Sequence, residues 1–284
     1  MGSHYLPQEY LRGFEIPDEP GMIWVYDKKV GSSKKLPIKV VAQESGFYDP
    51  VTEKRLSEEV EGPAHAILGA LRAGSALSRE DRVVFTLYMA TMLMRVPHRR
   101  RRGLEMVSPA LNSSVDELKV EARSLSGTSG ISAERVEKFL SDVDLVHKKF
   151  LLKPPDEVVS QIKSPWPTNR VFAAIHDMTW RIIRAPAGLQ FLTGDRAAFI
   201  FDGLGLATPK SELTFPIASD IALVGCWQGI RAGTIHIRAK AALVRELNRR
   251  LASGAERFVF YHECQPWVAT IADKSKPYLC EIRW

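Results

Sequence analysis

His4-Tyr5-Leu6-Pro7-Gln8-Glu9-Tyr10-Leu11-Arg12-Gly13-Phe14 is the stretch around which the rest of this chain is organised. It carries two tyrosines, two leucines and a phenylalanine in eleven residues, which is more apolar surface than a frayed terminus exposes. Pro7 suits the first turn of a helix, because its missing N–H has no hydrogen-bond partner there in any case. We therefore predict a short helix over about 8–14 that docks into the core of the protein.

The apolar run from Val83 to Met94 predicts the most central helix of the chain. Ser78-Arg79-Glu80-Asp81 precedes it and has the pattern of a helix-capping box. The run is apolar on nearly all sides, so we expect this helix to be fully buried. Its 12 residues fall short of the roughly 20 that a membrane span needs, and we expect no membrane partner.

The order of the periodic segments predicts an α+β fold. A helical N-terminal and central part, with a small hairpin and the buried central helix, precedes a mostly antiparallel sheet with one late helix near 239–252. Pro154-Pro155 and Ser164-Pro165-Trp166-Pro167 mark the place where helices give way to strands. The last strands are expected near 257–262, 267–272 and 278–284.

The chain of 284 residues is long enough to bury a substantial core. We expect residues 1–284 to form a single domain. Within it we distinguish a mainly helical part with a small hairpin, residues 1–160, from a mainly antiparallel-sheet part, residues 161–284.

The composition limits which partners and which cellular location are expected for the protein. A net charge of +6 and a pI near 9.2 permit a nucleic-acid or phosphate-bearing partner without requiring one. Cys226, Cys264 and Cys280 are odd in number and have no Cys-x-x-Cys spacing, which is typical of reduced thiols. No basic region followed by an apolar one opens the sequence, so we expect no signal peptide and a cytoplasmic location.

An arginine-rich cluster follows the central helix, Arg95-Val96-Pro97-His98-Arg99-Arg100-Arg101-Arg102. Arg95 belongs to the buried helix and must find a carboxylate or a bound anion; we favour Asp195 as that carboxylate. Arg99, Arg100, Arg101 and Arg102 follow a proline that breaks or kinks the helix, and we expect them to be solvated. They form either a phosphate-contact patch for nucleic acid or a run of charge at a helix end.

Five polar residues embedded in apolar sequence are candidates for catalysis: His4, Gln8, Glu61, Arg95 and Asp195. A histidine and two carboxylates can supply acid–base catalysis or a metal site, and an arginine can stabilise negative charge. Glu61 and His65, four residues apart, are a weak signal for a metal site, and the alternative is an acid that stabilises a helix dipole; no metal site is assigned. The alternative is a structural network in which Asp195 caps a turn and pairs with Arg95, with His4 as a hydrogen-bonded anchor.

The opening stretch resembles the His-x-x-Pro-Gln-x-Tyr-Leu-x-x-Phe motif of the domain-of-unknown-function family DUF4238. The family's Thr-Ser-Asp-Asn-Pro turn differs here at Gly194, Arg196 and Ala197. The resemblance implies no activity and supplies candidate positions only. Further segments similar to the family follow in the expected order: Ile23-Trp24-Val25-Tyr26-Asp27-Lys28, Glu44-Ser45-Gly46-Phe47-Tyr48, Glu61, Arg95-Val96-Pro97, Thr193-Gly194-Asp195-Arg196-Ala197 and Phe215-Pro216-Ile217.

Two classes of function stay open. One is an enzyme, a nucleic-acid or nucleotide hydrolase that uses His4, Glu61, Arg95 and Asp195. The other is a non-catalytic nucleic-acid-binding or protein-interaction module that uses the arginines after Pro97. A phosphate-bearing ligand, nucleic acid or small molecule, is expected in either class. The sequence contains no Gly-x-Ser-x-Gly elbow, P-loop or His-Glu-x-x-His motif, and it indicates no particular cofactor or oligomeric state.

Overall fold

The computed structural model describes residues 2–45, 47–126, 131–152, 156–201 and 203–274. The predicted α+β class is confirmed: long helices and largely antiparallel sheets make up the described chain. Short 3-10 turns continue the first helix and follow the third strand. The helices are α1 Gln8–Leu11, α2 Pro50–Arg55, α3 Gly62–Ala73, α4 Arg79–Met94, α5 Pro97–Ser124, α6 Ala133–Leu152, α7 Asp156–Lys163, α8 Asn169–Asp177, α9 Ala241–Gly254 and α10 Trp267–Ala272.

The strands of the described residues fall into three sheets. A five-stranded sheet has the order β10-β5-β9-β8-β7, a four-stranded sheet has the order β3-β2-β11-β6, and β1 pairs with β4. All pairs are antiparallel except β10 with β5. The strands are β1 Gly2–His4, β2 Met22–Asp27, β3 Ser32–Pro37, β4 Gln43–Ser45, β5 Thr179–Arg184, β6 Thr193–Gly194, β7 Phe199–Ile200, β8 Glu212–Ala218, β9 Ile221–Cys226, β10 Thr234–Arg238 and β11 Phe258–Tyr261.

Two predicted strands need comment. Residues 267–272 form the helix α10 and not a strand; Val268 and Ala272, four residues apart, are both buried in one apolar cluster with Ala252 of α9. The strand expected near 278–284 lies outside the described residues. The edge strand β10 was not predicted, although Ile235 and Ile237 alternate with polar residues; most of its residues are exposed.

The opening stretch is buried as predicted. Leu6, Leu11 and Phe14 have no exposed surface, and the Tyr10 ring lies 5.4 Å from that of Phe215 in β8. Gly13 passes so close to β8 that an added Cβ would lie 2.6 Å from a carbonyl oxygen of that strand. The first helix therefore packs in the core, beside the five-stranded sheet.

The central helix α4 begins as predicted and is less buried than predicted. The Ser78 hydroxyl accepts the backbone N–H of Asp81 at 3.0 Å, and the Asp81 carboxylate accepts the backbone N–H of Ser78 at 3.0 Å. Phe85 and Met89 are fully buried, but Val83 is exposed. Because one flank of α4 faces solvent, the helix is amphipathic and not surrounded by core on every side.

The chain divides into two compact units. The sheet unit comprises Met1–Val96 and Pro165–Trp284, and the helical unit comprises Pro97–Ser164. The N-terminal 96 residues thus group with the late sheet. The single domain and its subdivision at about residue 160 stay predictions. Within the described ranges no helix combines the length and the apolar character that crossing a bilayer needs.

Candidate functional site

Arg95 directly follows α4 in the sheet unit, and its side chain is only 2% exposed. One terminal nitrogen, Nη1, donates to Oε1 of Glu61, and the other, Nη2, donates to the backbone oxygen of His4 at 2.6 Å. The ring of Tyr48 lies 5.9 Å from Cζ of the guanidinium. The prediction that Asp195 answers the Arg95 charge is wrong, because Glu61 does so.

Glu61 is the last residue of an irregular helix between α2 and α3. Residues Leu56–Glu61 form a π-helix that continues directly into α3, which begins at Gly62. The wider turn of a π-helix shifts the direction of the side chains that follow it. His65, four residues on, is exposed, and Glu61 points to Arg95 and not to His65 as a metal pair would require.

Asp195 holds a turn in place. Its Oδ1 accepts the backbone N–H of Glu256 at 2.7 Å, and its Oδ2 accepts those of Arg257 at 2.7 Å and Phe258 at 3.0 Å. Burial raises the pKa of the Asp195 carboxyl, and the backbone N–H groups of Phe258 and Arg257 oppose this rise. The carboxylate therefore holds the turn that leads into β11. This is the turn-capping role that the structural alternative predicted for Asp195.

The remaining two candidates occupy different places. The His4 ring nitrogen Nε2 lies 3.2 Å from the carbonyl oxygen of Lys39. Gln8 is exposed on α1. The structure thus brings His4, Glu61 and Arg95 together, whereas Gln8 and Asp195 form no hydrogen bond with these three in the described part of the chain.

No group of three or more histidine, cysteine, aspartate or glutamate side chains within the described residues is placed to hold a metal ion. Glu61 and Asp195, the two candidate carboxylates, both accept hydrogen bonds from groups of the protein itself. These contacts hold both carboxylates to neighbouring groups of the protein.

Two further polar side chains on α4 were missed by the sequence analysis. The Tyr88 hydroxyl, the Thr91 hydroxyl and Nε of Arg95 are buried and have no hydrogen-bond partner among the described residues. Positions 88, 91 and 95 have the three- and four-residue spacing that puts side chains on one helix face. Burial raises the pKa of Tyr88 well above its ordinary value. The sequence signal for this face is a tyrosine and a threonine at helical spacing from Arg95 within an apolar run.

Replacing the two hydroxyls tests their role directly. An unbonded buried hydroxyl costs roughly 1–3 kcal/mol of desolvation, so Tyr88→Phe and Thr91→Val should each raise the free energy of unfolding. The matched control is Thr86→Val on the same helix, which removes a made hydrogen bond of 2.7 Å to the Arg82 carbonyl and should not stabilise. Urea denaturation measures all three; a destabilised Tyr88→Phe would show that its hydroxyl is satisfied in solution.

The arginines after Pro97 occupy the beginning of a new helix. Arg99, Arg101 and Arg102 are exposed and Arg100 is half-buried in the first two turns of α5. The first turn of this helix contains no acidic residue. The arginines therefore stand at the N-terminal end of a helix, where the helix dipole is positive and disfavours cations.

The chain matches one known protein family over most of its length. Residues 3–264 match the family described as "Protein of unknown function (DUF4238)". The chain belongs to this family. The match confirms the resemblance of the opening motif, and it extends over the sites of both units. No curated protein and no solved structure gave a significant match, and the family description assigns no activity.

Proposed function

We propose that this protein binds the phosphate backbone of nucleic acid through Arg99, Arg100, Arg101 and Arg102 at the start of α5. The observation that carries the proposal is the position of the arginines. Four consecutive cations stand at the positive end of a 28-residue helix, and three of them are exposed. Like charges at that end of a helix reduce its stability, and a bound polyanion offsets the cost.

The backbone of the helix supports the same ligand. The first N–H groups of a helix have no acceptor within the helix and point towards its N-terminal end, where anions bind. A net charge of +6 adds a long-range attraction for polyanions. We favour duplex over single-stranded nucleic acid, because the sequence near the arginines lacks the aromatic residues on which single-stranded bases stack.

Binding is favoured over hydrolysis as the activity. A hydrolase built on His4, Glu61 and Arg95 would need a carboxylate that is free to act as a base, and Glu61 is engaged by the Arg95 guanidinium. We propose the cytoplasm as the location; Cys226 and Cys264 are free thiols, and Cys264 is exposed, which supports a reducing compartment.

The test is a change of all four arginines to serine. At low salt we expect the affinity for a labelled DNA duplex to fall by at least about a hundredfold, since each lost phosphate contact removes the release of a condensed counterion. Serine is a weaker helix former than arginine, so circular dichroism checks that the fold is retained. Fluorescence anisotropy with duplex and single-stranded probes measures the affinities.

A control variant with the same change in net charge separates contact from general attraction. Lys29, Lys34, Lys210 and Lys240 are exposed in the sheet unit, and their joint change to serine should weaken binding by much less. Equal losses in the two variants would mean that only net charge matters. A parent protein that binds neither probe at low salt would refute the proposal.

A further inference from the structure

The helices α5 and α6 of the helical unit form an antiparallel hairpin. Its inner contact joins Ala122 of α5 to Val136 and Leu140 of α6 in one buried cluster. Further along, the His147 ring lies 2.8 Å from the Asn112 side chain, so the partners of α5 run backwards along α6. This contact fixes the register of the two helices and decides which side chains are left on the hairpin surface.

One surface of the hairpin is apolar and open. Leu118, Phe139 and Val146 are 40%, 45% and 60% exposed. With their neighbours they line a groove of about 380 Å³ between the helices. The other apolar side chains that line it are Leu111, Val115, Val143 and Phe150.

A single layer of two helices cannot bury such a surface by itself. Apolar faces of helices are normally covered by a second layer of secondary structure, and exposed apolar patches mark sites of association. An α6 of 20 residues is about 30 Å long at 1.5 Å per residue. Two helices about 10 Å apart then offer roughly 600 Å² per molecule, which approaches the area of a specific protein interface.

The exposed charges beside the groove are acidic on α5 and mainly basic on α6, where one acidic residue, Asp142, lines the groove itself. On α5, Glu117 and Glu121 are four residues apart next to Leu118, and both are exposed. On α6, Arg135 and Lys138 lie next to Phe139 and are also exposed. The hairpin register places Glu121 level with Lys138. Helical spacing puts the two pairs on opposite outer borders of the same apolar surface.

We infer that this surface binds a second copy of the chain, so that two hairpins form a four-helix bundle. A two-fold axis parallel to the helices lays each α5 on the α6 of the other copy and brings the acidic border of one against the basic border of the other. An axis perpendicular to the helices would lay α5 on α5 and join acid to acid. The charges therefore select both the occupant and its orientation.

Analytical ultracentrifugation of the full chain over a range of concentrations tests the inference. The parent should sediment as a dimer, and the double variant Leu118→Glu with Val146→Glu should sediment as a monomer at the same concentrations. Both positions are exposed, so the variant is expected to fold, which circular dichroism verifies. The control is Val30→Glu with Ile230→Glu, two exposed apolar residues of the sheet unit, which should remain a dimer.

Charge reversal tests the orientation. Glu117→Lys with Glu121→Lys should weaken dimerisation at least about tenfold, and adding Arg135→Glu with Lys138→Glu should restore it. A parent that is monomeric at every concentration would overturn the inference and leave the surface to another protein. A dimer that survives Leu118→Glu with Val146→Glu would place the interface elsewhere, and failure of the rescue would overturn the proposed orientation.

Discussion

Deletion of residues 1–14 is expected to prevent this chain from folding. The deletion removes five large side chains that are buried in the main core: Tyr5, Leu6, Tyr10, Leu11 and Phe14. At roughly 1.5–3 kcal/mol for each buried side chain, the loss is comparable to the whole stability of a typical domain, about 5–15 kcal/mol. We expect an insoluble product or one without a cooperative thermal transition.

A milder variant keeps this prediction measurable if the truncated chain cannot be purified. The Tyr10 ring packs 5.6 Å from that of Phe14, and its hydroxyl bonds Thr193 at 2.7 Å. Tyr10→Ala should therefore lower the free energy of unfolding by about 3–5 kcal/mol. Gln8→Ala, on an exposed position of the same helix, should be close to neutral. A soluble truncation that melts like the parent would disprove the central role of this stretch.

Glu61→Gln is expected to be the most damaging conservative substitution in the site. It keeps the size of the side chain but removes the negative charge that answers Arg95, whose side chain is 2% exposed, whereas Glu61 itself is 19% exposed. Leaving a buried guanidinium without its counter-charge typically costs about 3–5 kcal/mol. Thermal and urea denaturation should show a clear loss of stability.

The same helical segment supplies the control. Glu59 pairs with Arg55 at 2.9 Å, but both side chains are about half exposed. Because exposed ion pairs contribute little, Glu59→Gln should shift the melting temperature far less than Glu61→Gln. If the two variants lose stability equally, Arg95 does not depend on Glu61 for its counter-charge.

Features set by neighbours in sequence were predictable. The Ser78 cap and the helix that follows it depend on residues within four positions of one another, and their pattern is present in the sequence. The burial of the opening stretch follows from its content of Tyr, Leu and Phe alone. In such cases local chemistry and tertiary structure favour the same conformation.

Pairings between distant segments were not predictable in the same way. Arg95 required a carboxylate, but the choice between Glu61 and Asp195 depends on how a π-helix and a two-residue strand are placed in space. Arg95 also donates to the main-chain oxygen of His4. The sequence could not indicate this acceptor, because every residue has a main-chain oxygen. The sequence indicated that the Arg95 charge needs a partner, but it could not indicate which residue provides it.

Short apolar segments were ambiguous for a different reason. Trp267-Val268-Ala269-Thr270-Ile271-Ala272 is rich in residues that favour strands. Packing of Val268 and Ala272 in one cluster with Ala252 makes it a helix instead. A six-residue run is too short for periodicity to separate the two states, so tertiary contacts decide.

The slope of affinity against salt concentration tests nucleic-acid binding by the arginines most directly. The logarithm of the affinity for a DNA duplex should fall linearly with the logarithm of salt concentration. Changing all four residues Arg99 to Arg102 to serine should flatten that slope by about 3–4, and changing only Arg101 and Arg102 should flatten it by about half as much. A slope that is the same in the parent and in the fourfold variant would contradict binding at the start of α5.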